Sequence, residues 1–112
     1  MNDELADLER LRALAGTADG VCIYFSTPAC GVCQALKPKL TELLAASFPA
    51  LQWVEVDCTR QPLVAGQFQV FAVPTLVVFI AGSEVLRRAC GIHPGELRQS
   101  LARPYASFFG TD

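Results

Sequence analysis

The sequence predicts an α/β fold in which a mixed four-stranded sheet is sandwiched by helices. Three observations carry this. The apolar runs VCIYFS (21–26), LQWVEV (51–56) and TLVVFI (75–80) have strand length and β-prone composition, and helical patterns lie between them. The first two flank one helix, which makes a βαβ unit. The third is separated from EVLRRA (84–89) only by a turn, which makes an antiparallel hairpin.

Each element has a local reason. Leu5, Leu8, Leu11 and Leu14 recur every third residue, with Ala15 four after Leu11, so residues 3–15 read as an amphipathic helix that covers the sheet, capped by Gly16. Residues 21–26 have no polar face, as expected of a strand covered on both sides. The next helix begins around Cys30, carries Leu36, Leu40, Leu43 and Leu44, and contains Pro38, which removes a hydrogen bond and bends the axis. Residues 62–69 make a short helix. A final helix starts with Pro94 in its first turn, carries Leu97 and Leu101, and is stopped by Pro104. The tail from Tyr105, with Phe108 and Phe109, folds back on the body or forms a contact with a second copy or a partner.

Composition bounds the function. A chain of 112 residues is the size of one domain, here 1–112, and with 52% hydrophobic residues it can bury a core without metals or several disulfides. Nine Lys and Arg against eleven Asp and Glu give a net charge of −2. The basic residues form no stripe, which argues against nucleic acid as a partner. The first sixteen residues are acidic and amphipathic, unlike a signal peptide, and no apolar stretch reaches the ~20 residues of a membrane span, so a cytoplasmic location is expected. Five cysteines is an odd number and does not suggest a disulfide scaffold.

The chemistry is carried by ACGVC (29–33). A Cys-x-x-Cys alone serves equally as half of a zinc site, so context decides. Here a strand leads directly into Cys30 at a helix start, which places its sulfur against unpaired backbone N–H groups and the positive end of the helix dipole. That environment favours a thiolate, with reactive cysteines of this kind spanning pKa values of roughly 3.5 to 7.5. Cys30 is the expected nucleophile, and Cys33, one turn further in, the resolving thiol. A structural staple is the rival reading, but a three-residue spacing closes a loop too small for much entropic stabilisation. A metal site would need further ligands from Cys22, Cys58, Cys90 and His93, none in a second such motif; an iron–sulfur cluster shared between two chains stays open. No bound cofactor is needed for the redox reading.

These residues resemble the thioredoxin family: ACGVC, Pro38 in the helix, Asp57 at a strand end, VPT at 73–75, and the glycines Gly82 and Gly91. The likeness runs from about residue 20 to residue 102. It implies a thioredoxin-like fold, whose sheet becomes five-stranded where an extra N-terminal strand is present; no room for that strand is evident here. It also implies a cis Pro74 facing the cysteines, with the Val73 backbone free to pair with an extended substrate segment. Ala29, Gly31, Val32, Val73, Pro74 and Gly91 would then form the substrate rim. Disulfide-containing proteins become the expected substrates, reset by an external reductant such as a thioredoxin reductase or glutathione. A monomer is expected, with a dimer through the aromatic tail as the alternative.

Three departures from the family bear on mechanism. Ala29 replaces the tryptophan before the nucleophile, and Val32 the proline between the cysteines, so both rim and redox poise should change. Potentials in such proteins span roughly −270 to −120 mV, and a value less reducing than thioredoxin's is expected. Tyr24 stands where the family has a buried Asp; a phenol with pKa near ~10 cannot take the proton of Cys33 and is expected only to donate a hydrogen bond to its thiolate. Trp53 stands where the family has the lysine that pairs with that Asp. Tyr24, Trp53 and Pro38 are therefore expected to modulate the centre. Resolution by Cys33 should be slower than in thioredoxin, with water or substrate taking the proton.

Among the remaining residues, Cys22 reads as an inert core position. Asp57 organises the loop that follows it. His93 introduces the last helix. Cys90, next to Gly91, is either structural or open to oxidation and glutathionylation. Two functions remain in view: a thiol–disulfide oxidoreductase that reduces protein disulfides, and a thioredoxin-like interaction or redox-sensing module with little turnover.

Overall fold

The computed structural model describes residues 3–110. Eight elements follow the predicted order: α1 (Asp3–Thr17), β1 (Gly20–Ser26), α2 (Gly31–Ser47), β2 (Gln52–Asp57), α3 (Pro62–Gln67), β3 (Thr75–Ile80), β4 (Ser83–Ala89) and α4 (Pro94–Phe109). The sheet has four strands in the order β2-β1-β3-β4, and β1 is parallel to β2 but antiparallel to β3. The hairpin from β3 to β4 turns on Ala81 and Gly82, both with positive φ. Gly82 is required there, because a Cβ would lie 2.8 Å from the Gly16 carbonyl oxygen.

Alternation along the strands explains why VCIYFS lacks a polar face. Cys22 and Tyr24, with Leu76, Val78 and Ile80, face a core built with Leu36, Leu40 and Leu44 of α2 and Leu97 and Leu101 of α4. Val21, Ile23 and Phe25, with Val77, face the other core, built with Leu8, Leu11 and Ala15 of α1 and Val64 and Ala65 of α3. Glu4 also ties α1 to α3, its carboxylate accepting the N–H groups of Leu63 and of Val64, the latter at 3.1 Å.

The structure departs from these expectations at four places. α3 ends at Gln67, short of residue 69. Gly16 does not end α1, which continues to Thr17. Within α1 the three-residue repeat drifts by ~60° per step around a helix, so Leu8, Leu11 and Ala15 are buried but Leu5 points outward, 54% exposed. Pro104 does not stop α4, which runs on to Phe109. Proline inside a helix costs ~3 kcal/mol, and burial of the next turn offsets this. Tyr105 packs on Phe48 with ring centroids 5.0 Å apart and on Phe109 at 4.6 Å, and its hydroxyl accepts the Ala50 N–H at 3.0 Å. The tail expected to fold back does so as helix, with Phe108 left exposed; its last two residues lie outside the described ones.

Candidate redox site

The strand pairing decides which loops meet. Phe25 lies opposite Thr75, and Thr75 opposite Ala89. The segments that follow β1, precede β3 and follow β4 therefore emerge at one edge of the sheet. They carry Ala29 to Cys33, Val73 with Pro74, and Cys90 with Gly91. The Cys90 N–H closes the arrangement by donating to the Pro74 carbonyl at 2.7 Å. Ala29, Gly31, Val32, Gly91 and Cys90 are exposed, Val73 is half-buried and Pro74 buried.

Cys30 is the N-cap of α2, with extended backbone (φ −83°, ψ 102°), and its Sγ accepts the Cys33 N–H at 3.1 Å. Its carbonyl accepts the Gln34 N–H at 3.1 Å, the first turn of the helix. A cap position normally filled by a serine or aspartate oxygen is thus filled by sulfur. The orphan N–H groups and the helix dipole that would satisfy such an oxygen stabilise negative charge on Cys30 instead. Cys30 and Cys33 are joined in a disulfide, with Cα atoms 5.2 Å apart. Cys30 is partly exposed and Cys33 is 0% exposed, one outside and one beneath.

Tyr24 corrects an expectation. Its hydroxyl donates to the Cys33 backbone carbonyl at 2.8 Å, and not to sulfur. Burial, and then the charge of Glu55, push its phenol pKa up, so Tyr24 remains protonated throughout the neutral range. The partner replacement is beside it: the Tyr24 and Trp53 rings are 5.2 Å apart and tilted by 32°. Trp53 Nε1–H donates to Glu55 Oε2 at 2.9 Å, and Lys37 Nζ meets the same oxygen at 2.6 Å. Against the opposing effect of burial, these two bonds hold the Glu55 carboxyl below its usual pKa. Tyr24 and Trp53 thus form an aromatic pair, backed by the surface ion pair of Glu55 and Lys37. The sequence showed the two replacements but not Glu55 and Lys37, which meet only once α2 lies across β2.

Pro38 lies inside α2 and gives no N–H to the Gln34 carbonyl. Pro74 follows a cis peptide bond from Val73, and the strand ladder begins after it, at Thr75. Asp57 closes the loop predicted for it, its Oδ1 accepting the Thr59 N–H at 2.9 Å and hydroxyl at 2.6 Å. Cys22 is fully buried and free, its thiol pKa pushed strongly upward by burial. Cys58 is free and half-buried, and burial followed by the Asp57 charge raises its pKa. His93 caps α4 through its carbonyl, which accepts the Leu97 N–H at 2.9 Å, and its side chain makes no capping bond. No group of three or more metal-ligating side chains occurs among the described residues, and none of their helices is long and apolar enough to cross a membrane.

A vicinal cysteine pair capping a helix beneath the open edge of a four-stranded α/β sheet defines a thiol–disulfide oxidoreductase. The chain belongs to the thioredoxin family, whose model matches residues 8–103. It is 40% identical over 88 residues to the thioredoxin-like protein YdfQ of Bacillus subtilis, covering 79% of this chain and 78% of that one. It is 34% identical over 92 residues to Bacillus subtilis thioredoxin, covering 81% and 88%. Among solved structures, oxidised mitochondrial thioredoxin 3 of Saccharomyces cerevisiae superposes with a TM-score of 0.73 at 30% identity, covering 82% of this chain and 85% of that one.

Proposed function

We propose that this chain reduces disulfides in proteins, using Cys30 as nucleophile and Cys33 as resolving thiol. The single observation that carries the assignment is the asymmetry of the pair: Cys30 caps the helix through its sulfur and is partly exposed, while Cys33 is wholly buried. In the reduced protein the Cys30 thiolate attacks a substrate disulfide, forms a mixed disulfide and expels one substrate thiolate. Cys33 loses its proton and attacks the Cys30 sulfur, which expels the second substrate thiolate and leaves the Cys30–Cys33 disulfide. Two electrons have passed to the substrate. An external reductant returns them, either a dithiol such as that of a thioredoxin reductase or two molecules of glutathione, which leave as glutathione disulfide.

Val73 and Pro74 support a protein as substrate. The Val73 N–H and C=O lie outside the ladder that starts at Thr75, so an extended segment can pair with them by strand addition, flanked by Ala29, Gly31, Val32 and Gly91. Tyr24 cannot serve as the base for Cys33, because its proton is already committed to the Cys33 carbonyl. Water or the departing substrate thiolate takes the Cys33 proton, and resolution is slower than in relatives with a carboxylate there.

The test is reduction of insulin by catalytic amounts of the chain with dithiothreitol as electron source, beside Cys30→Ser. Turnover that disappears in the variant supports the reading. No turnover above the uncatalysed rate favours the second reading, a binding or sensing module; partner capture that survives Cys30→Ser would then establish it. The observation on that side is that Tyr24, protonated and bonded to the Cys33 carbonyl, and Trp53 beside it offer no base to the Cys33 thiol.

A further inference from the structure

Phe71 is 88% exposed, the most exposed large apolar side chain among the described residues. Single exposed apolar residues are ordinary on protein surfaces, so exposure alone carries nothing. Its setting is different in three respects.

First, the segment that presents it is anchored on both sides. Val70 is buried, and its N–H donates to the Ala65 carbonyl at 2.9 Å. The Ala72 carbonyl accepts the Thr75 hydroxyl at 2.7 Å. Arg87, held by Glu84, donates to the carbonyls of Phe68 at 2.9 Å and Gln69 at 3.3 Å, where Gln69 with φ 59° turns the chain outward. A fixed backbone holds the ring in water at a cost that burial would recover.

Second, the position is continuous with the redox edge. Phe71 is three residues before Pro74, a reach of at most about 11 Å, and the Pro74 carbonyl is bonded to the loop bearing Cys90 and Gly91. Val32, between the two cysteines, is 64% exposed.

Third, the three segments that carry the site have no acidic side chain and no basic one but His93, with Asp57 of β2 beside them opposite Ser26. Residues 26–36, 67–75 and 89–95 contain no Asp, Glu, Lys or Arg, although these make up 18% of the chain. An interface centre depleted of charge and holding an exposed aromatic fits an apolar partner segment.

We propose that Phe71 is a specificity-determining residue: its ring packs on an apolar side chain beside the disulfide cysteine of an extended, uncharged substrate segment. The proposal rests on the protein-disulfide reading above and names the substrate class. Phe71 gives the rim an aromatic surface, which Ala29, Gly31, Val32 and Gly91 do not provide. It does not touch the reacting sulfurs, so its effect falls on KM.

The test uses the full chain and two disulfide-linked peptide dimers, one with Leu and Phe beside the cysteine, the other with Asp and Glu. Release of peptide thiol is followed with dithiothreitol as reductant. The expected result is a preference for the apolar peptide of about tenfold in kcat/KM, carried by KM. Phe71→Ala abolishes the preference and Phe71→Leu retains most of it. Phe108→Ala keeps the wild-type preference; Phe108 is exposed at the far end of α4, whose neighbouring Phe109 packs on Gly20 at the opposite end of β1. Equal turnover of the two peptides, or a preference untouched by Phe71→Ala, overturns the inference and leaves the redox reading standing. Reduction of neither peptide overturns both.

Discussion

The Tyr24 hydroxyl donates to the backbone carbonyl of Cys33 at 2.8 Å, so the residue that, by the resemblance to the family, stands in place of a buried acid grips the active-site helix and not its sulfur. The stack on Trp53 completes the substitution. An apolar replacement of a whole buried pair is tolerated where loss of one partner is not. Restoring one member should therefore be worse than restoring both. Tyr24→Asp is expected to cost ~3 kcal/mol or more in urea unfolding, by leaving a buried carboxylate without a partner. Adding Trp53→Lys should recover part of that cost. In rapid mixing the double variant should break down its mixed disulfide faster than wild type; equal rates would show that proton removal from Cys33 does not limit resolution.

Val32 is predicted to set the redox poise. The wild-type potential, titrated against glutathione, should lie above the roughly −270 mV of thioredoxin. Val32→Pro should lower it by on the order of 30 mV, about 1.4 kcal/mol for a two-electron couple. An unchanged potential would place the determinant elsewhere in the helix cap.

Glu96 holds β4 to α4. It accepts from Arg88 at 3.0 and 2.8 Å and also from Ser100, and these bonds, Arg88 first, lower its pKa from 4.5 to about 2. A carboxylate with a depressed folded-state pKa contributes stability above its unfolded value, and that contribution is lost as pH falls. The loss should run from about pH 4.5 down to about 2. Glu96→Gln should flatten the pH dependence of stability in that window and leave the neutral-pH reduction rate unchanged.

Much of this was legible because it is written locally. The apolar runs mark three strands, the Ile80-Ala81-Gly82-Ser83 turn marks the hairpin, and Cys30 after a strand marks a helix start. What was not legible depends on tertiary partners. Pro104 reads as a stop until Phe48 and Ala50 are seen holding the next turn through Tyr105. Likewise, the target of the Tyr24 hydroxyl depends on how α2 lies over β1. Glu55 and Lys37 are eighteen residues apart in sequence and become partners only in the fold. Phe71 carries no mark in the sequence, and only its exposure on an anchored loop sets it apart.

Tyr105 should then be a stability residue of the α4 extension. Tyr105→Ala removes two ring contacts and the partner of the Ala50 N–H. A loss of about 2 kcal/mol is expected for this half-buried site, less than the 3–5 of a fully buried aromatic. Thermal unfolding and helix content would report it together.

The division of labour between the two cysteines is tested most directly by trapping. Each of Cys30→Ser and Cys33→Ser is mixed with a disulfide-bonded protein and examined by non-reducing electrophoresis and mass spectrometry. The expected result is a stable mixed disulfide through Cys30 in the Cys33→Ser variant and none in Cys30→Ser. A complex formed through Cys33 in Cys30→Ser, or no complex in Cys33→Ser, would contradict it.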